Sequence, residues 1–500
     1  MTHPVDADFL ALPLTPVSDA AIQSAKSAGA SHVDVRIERV RTGLLNLRDG
    51  KPETQTDDTI SGVGVRVIVN GTWGFASSPE ISVDKARELA ATAVAMAKTS
   101  APLSTETVAL APEPTYSNRS WVSSYETDPF TVSDGEKIER LGDLSRKLLA
   151  HSAVNHASAM CMYVKEQKHY ADIHCTSTTQ QRVRLQTQIE AISVGAHGFE
   201  SMRTLAQPAG YGWEWMGNSI WKWDEEIAEL PTLLEEKVKS PSVEPGLYDL
   251  VIHPSNLWLT IHESIGHATE LDRAIGYEAN YAGTSFATPD NLNKLQYGSH
   301  LMNVTGDRVT EHGLSTVAFD DEGVAAQQWD IIKDGVLVGY QLDRRISARV
   351  GRERSNGCAF ADSPAHVPIQ RMPNVSLQPD PKGPDLNTLI AGVENGILVK
   401  GDKSWSIDMQ RYNFQFTGQQ FHRIKNGKIV GQLKDVAYQS KTTDFWNSMS
   451  VVGDPSTYVL GGAFNCGKGQ PGQVAAVSHG CPAALFEKVN ILNTVAEAGK

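Results

Sequence analysis

The chain has 500 residues, 40% hydrophobic and 21% charged, which describes a folded soluble protein of two to four domains with ample material for buried cores. Lys and Arg number 45 against 58 Asp and Glu, a formal net charge of −13. That balance argues against a nucleic-acid binder, whose affinity rests on neutralising phosphates, and identifies no partner by itself. No run approaches the roughly 18 apolar residues of a membrane span. The opening MTHPVDADFLALPLTP lacks the basic and apolar regions of a signal peptide. The five cysteines, Cys161, Cys175, Cys358, Cys466 and Cys481, are too few and too odd in number for a disulfide framework. A reducing cytoplasm is the expected compartment.

Along the first half, helices and strands alternate. Ser18 to Ala28 reads as a helix with Ser18 as N-cap and Ala21, Ile22, Ala25 and Ala28 on one face. Val33, Val35 and Ile37 alternate with polar residues as in a half-buried strand, and a second strand near 44–47 ends at Asp49-Gly50. Residues 62–71, GVGVRVIVNG, alternate too. Val67 stands where a dinucleotide fingerprint needs its last glycine, so the segment is no nucleotide loop. Ser82 caps a long helix, and Ser133 with Glu136 forms a capping-box pattern for another. Strands are expected around 158–175 and 181–196. Segment 224–238 is acidic and helical in composition, with Pro231 expected to kink it or start a new turn. The aromatic group Trp213, Trp215, Trp221 and Trp223 reads as packing rather than a peptide surface.

The stretch KSPSVEPG (239–246) is the linker candidate. It divides the chain into an N-terminal domain, 1–240, and a C-terminal domain, 241–500. Beyond it the pattern is mostly β apart from one helix, with Asp334-Gly335 and Asn426-Gly427 as hairpin turns. The expected class is α+β: helices packed on an antiparallel or mixed sheet, then a mainly antiparallel β domain carrying one metal-binding helix.

That helix, at about 257–272, holds His262, Glu263 and His267 in NLWLTIHESIGHATELDRA. Two neutral imidazoles can bind zinc while the adjacent glutamate takes a proton from water. The usual spacing is i and i+4, about 40° apart on a helix. Here it is i and i+5, about 140° apart, so a regular α-helix would point the two rings away from each other. A π-bulge would bring them to one side, and Gly266 is where the backbone could loosen at low steric cost. A catalytic zinc needs a third protein ligand. Glu270 and Asp272 are near in sequence; His312, Cys466, His479 and Cys481 are distant candidates, with Cys466 in a glycine-rich loop at about 464–472. These stay open on the residues alone.

HESIGHATELDRA and the C-terminal CGKGQPG together resemble the TldD/PmbA family of modulator-of-gyrase metallopeptidases, in particular its TldD-type subunit. GVGVRVIVNGTWGFAS in the first half, DDEGV (320–324), RMPN (371–374) and Asn465-Cys466-Gly467-Lys468 are similar to further family segments. The resemblance implies one Zn²⁺ per chain held by His262, His267 and Cys466, with Glu263 as general base. It also implies a dimer enclosing a cavity, either a homodimer or a pair with a PmbA/TldE-type subunit, that cleaves extended or unfolded peptides. Neither nucleic acid nor membrane is an expected partner. The loop beyond Cys466, VAAVSHGCPAALFEKVNIL, departs from the family's run of Gly and Val.

Two other classes compete with the peptidase reading. One is a non-catalytic assembly subunit with a structural metal; the other is a metal-dependent hydrolase of non-peptide amides. Tyr277, Tyr281 and Tyr340 are candidates for an electrophilic helper, and Asp320, Asp321 and Glu322 for a second metal site, although a turn before a hairpin is the simpler reading of the acidic run.

Overall fold

The computed structural model describes residues 3–195 and 198–497. The chain is α+β. The N-terminal sheet contains β1 (His32–Arg48), β2 (Lys51–Val69), β3 (Thr72–Ser78), β4 (Arg119–Val122), β5 (His156–Asp172), β6 (Ser177–Gly195) and β7 (Gly198–Arg203). Its order is β3-β2-β1-β5-β6-β4, with β7 on β6; only the β4–β6 pair is parallel. The two segments expected as separate strands before Asp49-Gly50 are one continuous strand, β1. The turns Asp49-Gly50 and Asn70-Gly71 put both residues at positive φ, the backbone that a two-residue hairpin between right-twisted strands requires.

Alternation sorts β1 by face. Val33, Val35, Ile37, Leu45 and Leu47 are buried beneath helices Leu14–Ser27, Val83–Ser100, Asp134–Leu149 and Trp223–Lys239. The first of these begins four residues before Ser18, which lies inside it on the buried face. Ser82 and Ser133 cap as expected, their hydroxyls accepting from Lys85 N and Glu136 N. Pro231 is accommodated within helix Trp223–Lys239. The tryptophan group packs between these helices: Trp223 donates to Trp215 O (2.7 Å) and Trp221 to Glu226 (2.6 Å).

The opposite face of this sheet is charged yet buried, because the C-terminal half covers it. Lys168 of β5 meets Asp321 at 2.7 Å, and Arg66 of β2 meets Glu322 at 3.1 Å. Buried pairs of this kind add little net stability but leave a heavy penalty for any misdocked arrangement. Asp320 accepts from the backbone N–H groups of Glu322, Val324 and Ala359. The acidic run 320–322 is thus a turn that docks the two halves.

In the C-terminal half, strands 246–252, 395–407, 413–425, 436–441 and 484–493 pair in a closed ring, since 395–407 bonds both 246–252 and 413–425. Phe414, Phe416, Tyr438, Phe445 and Phe486 fill its core. Short helices at Arg344–Arg349, Leu386–Ala391 and Thr442–Asn447 add to the single helix expected there. Every strand of the first sheet precedes residue 204 and every later one follows residue 245. That partition supports the division into domains 1–240 and 241–500, which we propose. No described helix is long and apolar enough to cross a membrane.

Candidate metal centre

The site is built on helix Pro254–Ile261, buried along its whole length. His253 caps it, its ring accepting from Ser255 N at 3.2 Å, and Pro254 stands at the first turn, where a missing N–H costs nothing. The helix then widens into a π segment, His262–Gly266, in which His267 N donates to His262 O five residues back. This is the distortion that the His-x4-His spacing requires, and it leaves the two imidazoles 4.7 Å apart, edge to face. Side chains from elsewhere satisfy carbonyls of the widened turn: Tyr297 donates to Ser264 O and Gln341 to Gly266 O.

The role expected for Gly266 needs correction. Its φ of −51° is ordinary helix, so torsional freedom is not what the position uses. A Cβ there would lie 2.6 Å from Met372 Sδ; the glycine lets the RMPN segment pack directly against the turn. Gly461 does the same on another side, where a Cβ would stand 2.9 Å from Trp258.

That second approach brings in Cys466. It lies on strand Val459–Lys468, paired with Gln473–Cys481, and not on a loop as the glycines suggested. A register shift between Ala463 and Cys466 re-aims the strand, a common device beside functional sites. The Cys466 sulfur sits 3.6 Å from His267 Nε2, and donor atoms of His262, His267 and Cys466 all lie within 4.8 Å of one another. Among the described residues this is the one His/Cys/Asp/Glu group so arranged. Burial raises the Cys466 thiol, but His267 and the Arg371 guanidinium outweigh it and hold the thiol below its ordinary value. Two imidazole nitrogens and one acidified thiol fit zinc with one position left open.

The groups behind the two candidate histidines fix which nitrogens face inward. Val375 O can only accept, so His479 donates to it from Nδ1 (2.9 Å), leaving His479 Nε2 as an acceptor. His262 must then donate from Nδ1 to that atom (2.7 Å), and its Nε2 lone pair is free. Burial holds both rings below the usual histidine range, hence neutral. On the other side, His267 donates from Nδ1 to Glu270 Oε2 (2.8 Å). Glu270 is in turn held by Lys468 (3.0 Å), which also meets Asp272 at 2.8 Å. Cys466 and Lys468, two apart on one strand, share a face and grip the imidazole–carboxylate pair from both ends. Arg371, fully buried, donates to Cys466 O and to Gln473 O, fixing the hairpin.

We expect His479→Phe to lower zinc affinity about 10- to 100-fold, the usual cost of removing a group behind a metal ligand. The orphaned His262 N–H should also cost about 1–3 kcal/mol of stability. Zinc competition titration and urea unfolding read the two effects; unchanged affinity would show that the tautomer lock is dispensable.

Glu263 faces a cavity of about 340 Å³ that is also lined by His262, His267 and residues 462–467. Its far wall comes from the N-terminal half: Gln186 and Gln188 of β6, Arg203 of β7, and Thr204 with residues 206–208. Arg203 pairs with Asp402, which accepts from Trp258 Nε1 at 3.2 Å, so the wall is tied to the metal helix. The second oxygen of Glu263 is taken by Arg411 Nη1 at 2.6 Å.

Other candidates lie elsewhere. Glu270 and Asp272 stand behind His267 in the Lys468 cluster. His312 stacks on Tyr211 at 3.6 Å. Cys481 is fully buried beside Pro254 O, its thiol raised by that burial. Tyr277 donates to Glu106, Tyr340 to Ala287 O and Thr288 O, and none of the three tyrosines lines the cavity. His479, weighed as a ligand, lies outside the donor group and hydrogen-bonds His262 from behind. Arg371 and Met372 belong to the RMPN segment noted above, although nothing in it states what they touch, and Arg411 carries no local sequence signal.

Comparisons with known proteins place the chain among metallopeptidase relatives. The PmbA/TldA metallopeptidase C-terminal domain matches residues 245–493, and PmbA/TldA metallopeptidase domain 1 matches residues 33–97. A metalloprotease of Methanothermobacter thermautotrophicus is 26% identical, covering 96% of this chain and 97% of that protein. A zinc metalloprotease TldD homolog of Saccharolobus solfataricus is 22% identical, covering 94% and 98%. The crystal structure of TldE from Thermococcus kodakarensis superposes with a TM-score of 0.72 at 14% identity, covering 95% of this chain and 99% of that one, a likeness of fold. With two family domains together spanning more than half its length, the chain belongs to the PmbA/TldD family of metallopeptidases.

Proposed function

We propose that the protein is a zinc peptidase that hydrolyses extended or unfolded peptides, with zinc held by His262 Nε2, His267 Nε2 and Cys466 Sγ. The observation that carries this reading is a buried His-His-Cys donor set with a glutamate facing the same cavity. Bound zinc would supply a Lewis acid that polarises the scissile carbonyl and brings the pKa of water towards about 7. Glu263 accepts one proton from the attacking water as its oxygen bonds to the carbonyl carbon. It then passes that proton to the leaving amine as the C–N bond breaks.

Strand Val459–Lys468 pairs on one side only among the described residues, and residues 462–467 line the cavity. An extended peptide could take main-chain hydrogen bonds from that edge, a mode that tolerates varied side chains. A cavity glutamate beside the donor set supports an enzyme over a purely structural metal. We further propose a dimer, of two copies or with a TldE-type subunit, that encloses this cavity. A cytoplasmic setting is consistent with five unpaired thiols.

The test is metal analysis combined with digestion of an unfolded protein. About one zinc per chain is expected. Cleavage should stop on chelation and return with zinc. Undiminished cleavage by the zinc-free protein would overturn the reading.

A further inference from the structure

We propose that Arg411 is a positioning residue for Glu263: it clamps one carboxylate oxygen from behind the cleft wall and so turns the other towards the cavity. The inference rests on the peptidase reading above. Glu263 lines the cavity, whereas Arg411 is not among the residues that do. The pair meets at 2.6 Å through Nη1 and Oε2, with side chains 14% and 7% exposed. Oε1 has no hydrogen-bond partner among the described residues and is the oxygen left for water.

The backbone around Arg411 is fixed in a way that stability alone would not favour. Its φ is +64°, a region that side chains other than those of Gly, Asn and Asp rarely adopt. Its Nε is buried without a partner. Several bonds hold it there. Arg411 N donates to Asp408 O, and Thr442 Oγ1 donates to Arg411 O at 2.7 Å. Asp408 accepts from the N–H groups of Gln410, Tyr412 and Asn413. Thr284 N and Phe286 N donate to Met409 O and Gln410 O, while Ser285 between them donates to Ala268 O beyond the π turn. The loop that aims Arg411 and the helix that carries Glu263 therefore share one brace. Strained backbone held by surrounding contacts is a mark of a functional position.

The experiment has two arms. In the first, zinc-loaded Arg411→Gln and Arg411→Lys are assayed on an unfolded peptide. Loss of the clamp should lower kcat roughly 10- to 100-fold, as misplaced catalytic groups do, with KM within about twofold and zinc content unchanged. The lysine variant should recover part of the rate. An unchanged kcat, or a fall in kcat that follows lost zinc, would overturn the inference. In the second arm, urea unfolding of zinc-free protein compares Arg411→Gln, Glu263→Ala and the double variant. Losses smaller in combination than in sum are expected; additive losses would overturn the pairing. A wild-type protein that cleaves nothing would overturn the peptidase reading itself.

Discussion

Glu263→Gln should bind zinc as the wild type does and lose peptidase activity by at least about 10³-fold, within the range that a general base contributes. The substitution changes little else. The amide keeps an oxygen that can accept from Arg411 Nη1, so the clamp survives, and the buried side chain keeps its volume. What disappears is the capacity to accept a proton from water. Zinc content by metal analysis and kcat/KM on an unfolded peptide separate the two effects. Cleavage at the wild-type rate would remove Glu263 from its role, and loss of zinc would make it a support of the metal.

Cys466→Ser should release zinc, whereas Cys481→Ser should retain it. A serine hydroxyl stays protonated where the thiol, beside His267 and Arg371, is held below its ordinary value, so the third anionic donor is lost. The drop in affinity should exceed the roughly 10- to 100-fold cost of a mutation behind a ligand. Cys481 lies on the partner strand with its sulfur 3.8 Å from Pro254 O, and burial keeps its thiol protonated. Zinc titration of both variants at one pH checks this, and the reverse outcome would move the site to Cys481.

The local part of the site was legible because helical geometry converts a spacing into a shape. His262 and His267, five apart, demand a wider turn if both are to face one point, and the π segment is that turn. The caps at Ser82 and Ser133 and the positive-φ hairpins were readable for the same reason: one or two residues decide them. The long-range part had no such handle. His479 reaches His262 across 217 residues, and Arg411 reaches Glu263 across 148. Nothing within either segment states its register against the other.

Glycine misled twice for related physical reasons. Around Cys466 it suggested a loop, yet the segment is a paired strand with one register shift, and glycine stands at 461 because Trp258 packs against it. At Gly266 it suggested backbone freedom, yet the gain is room for Met372. Sequence shows that a side chain is missing; only the fold shows what occupies its place.

The half-paired strand that carries Cys466 has a consequence for solubility. An open strand edge will bond to any extended backbone, including that of a partly unfolded neighbour, and such edges seed aggregation. Here the edge opens into a cavity whose opposite wall is β6 and β7 of the other domain. Lining a cleft rather than the outer surface, that edge is partly covered by the rest of the fold, one of the ways proteins keep an unpaired strand from joining a neighbour's.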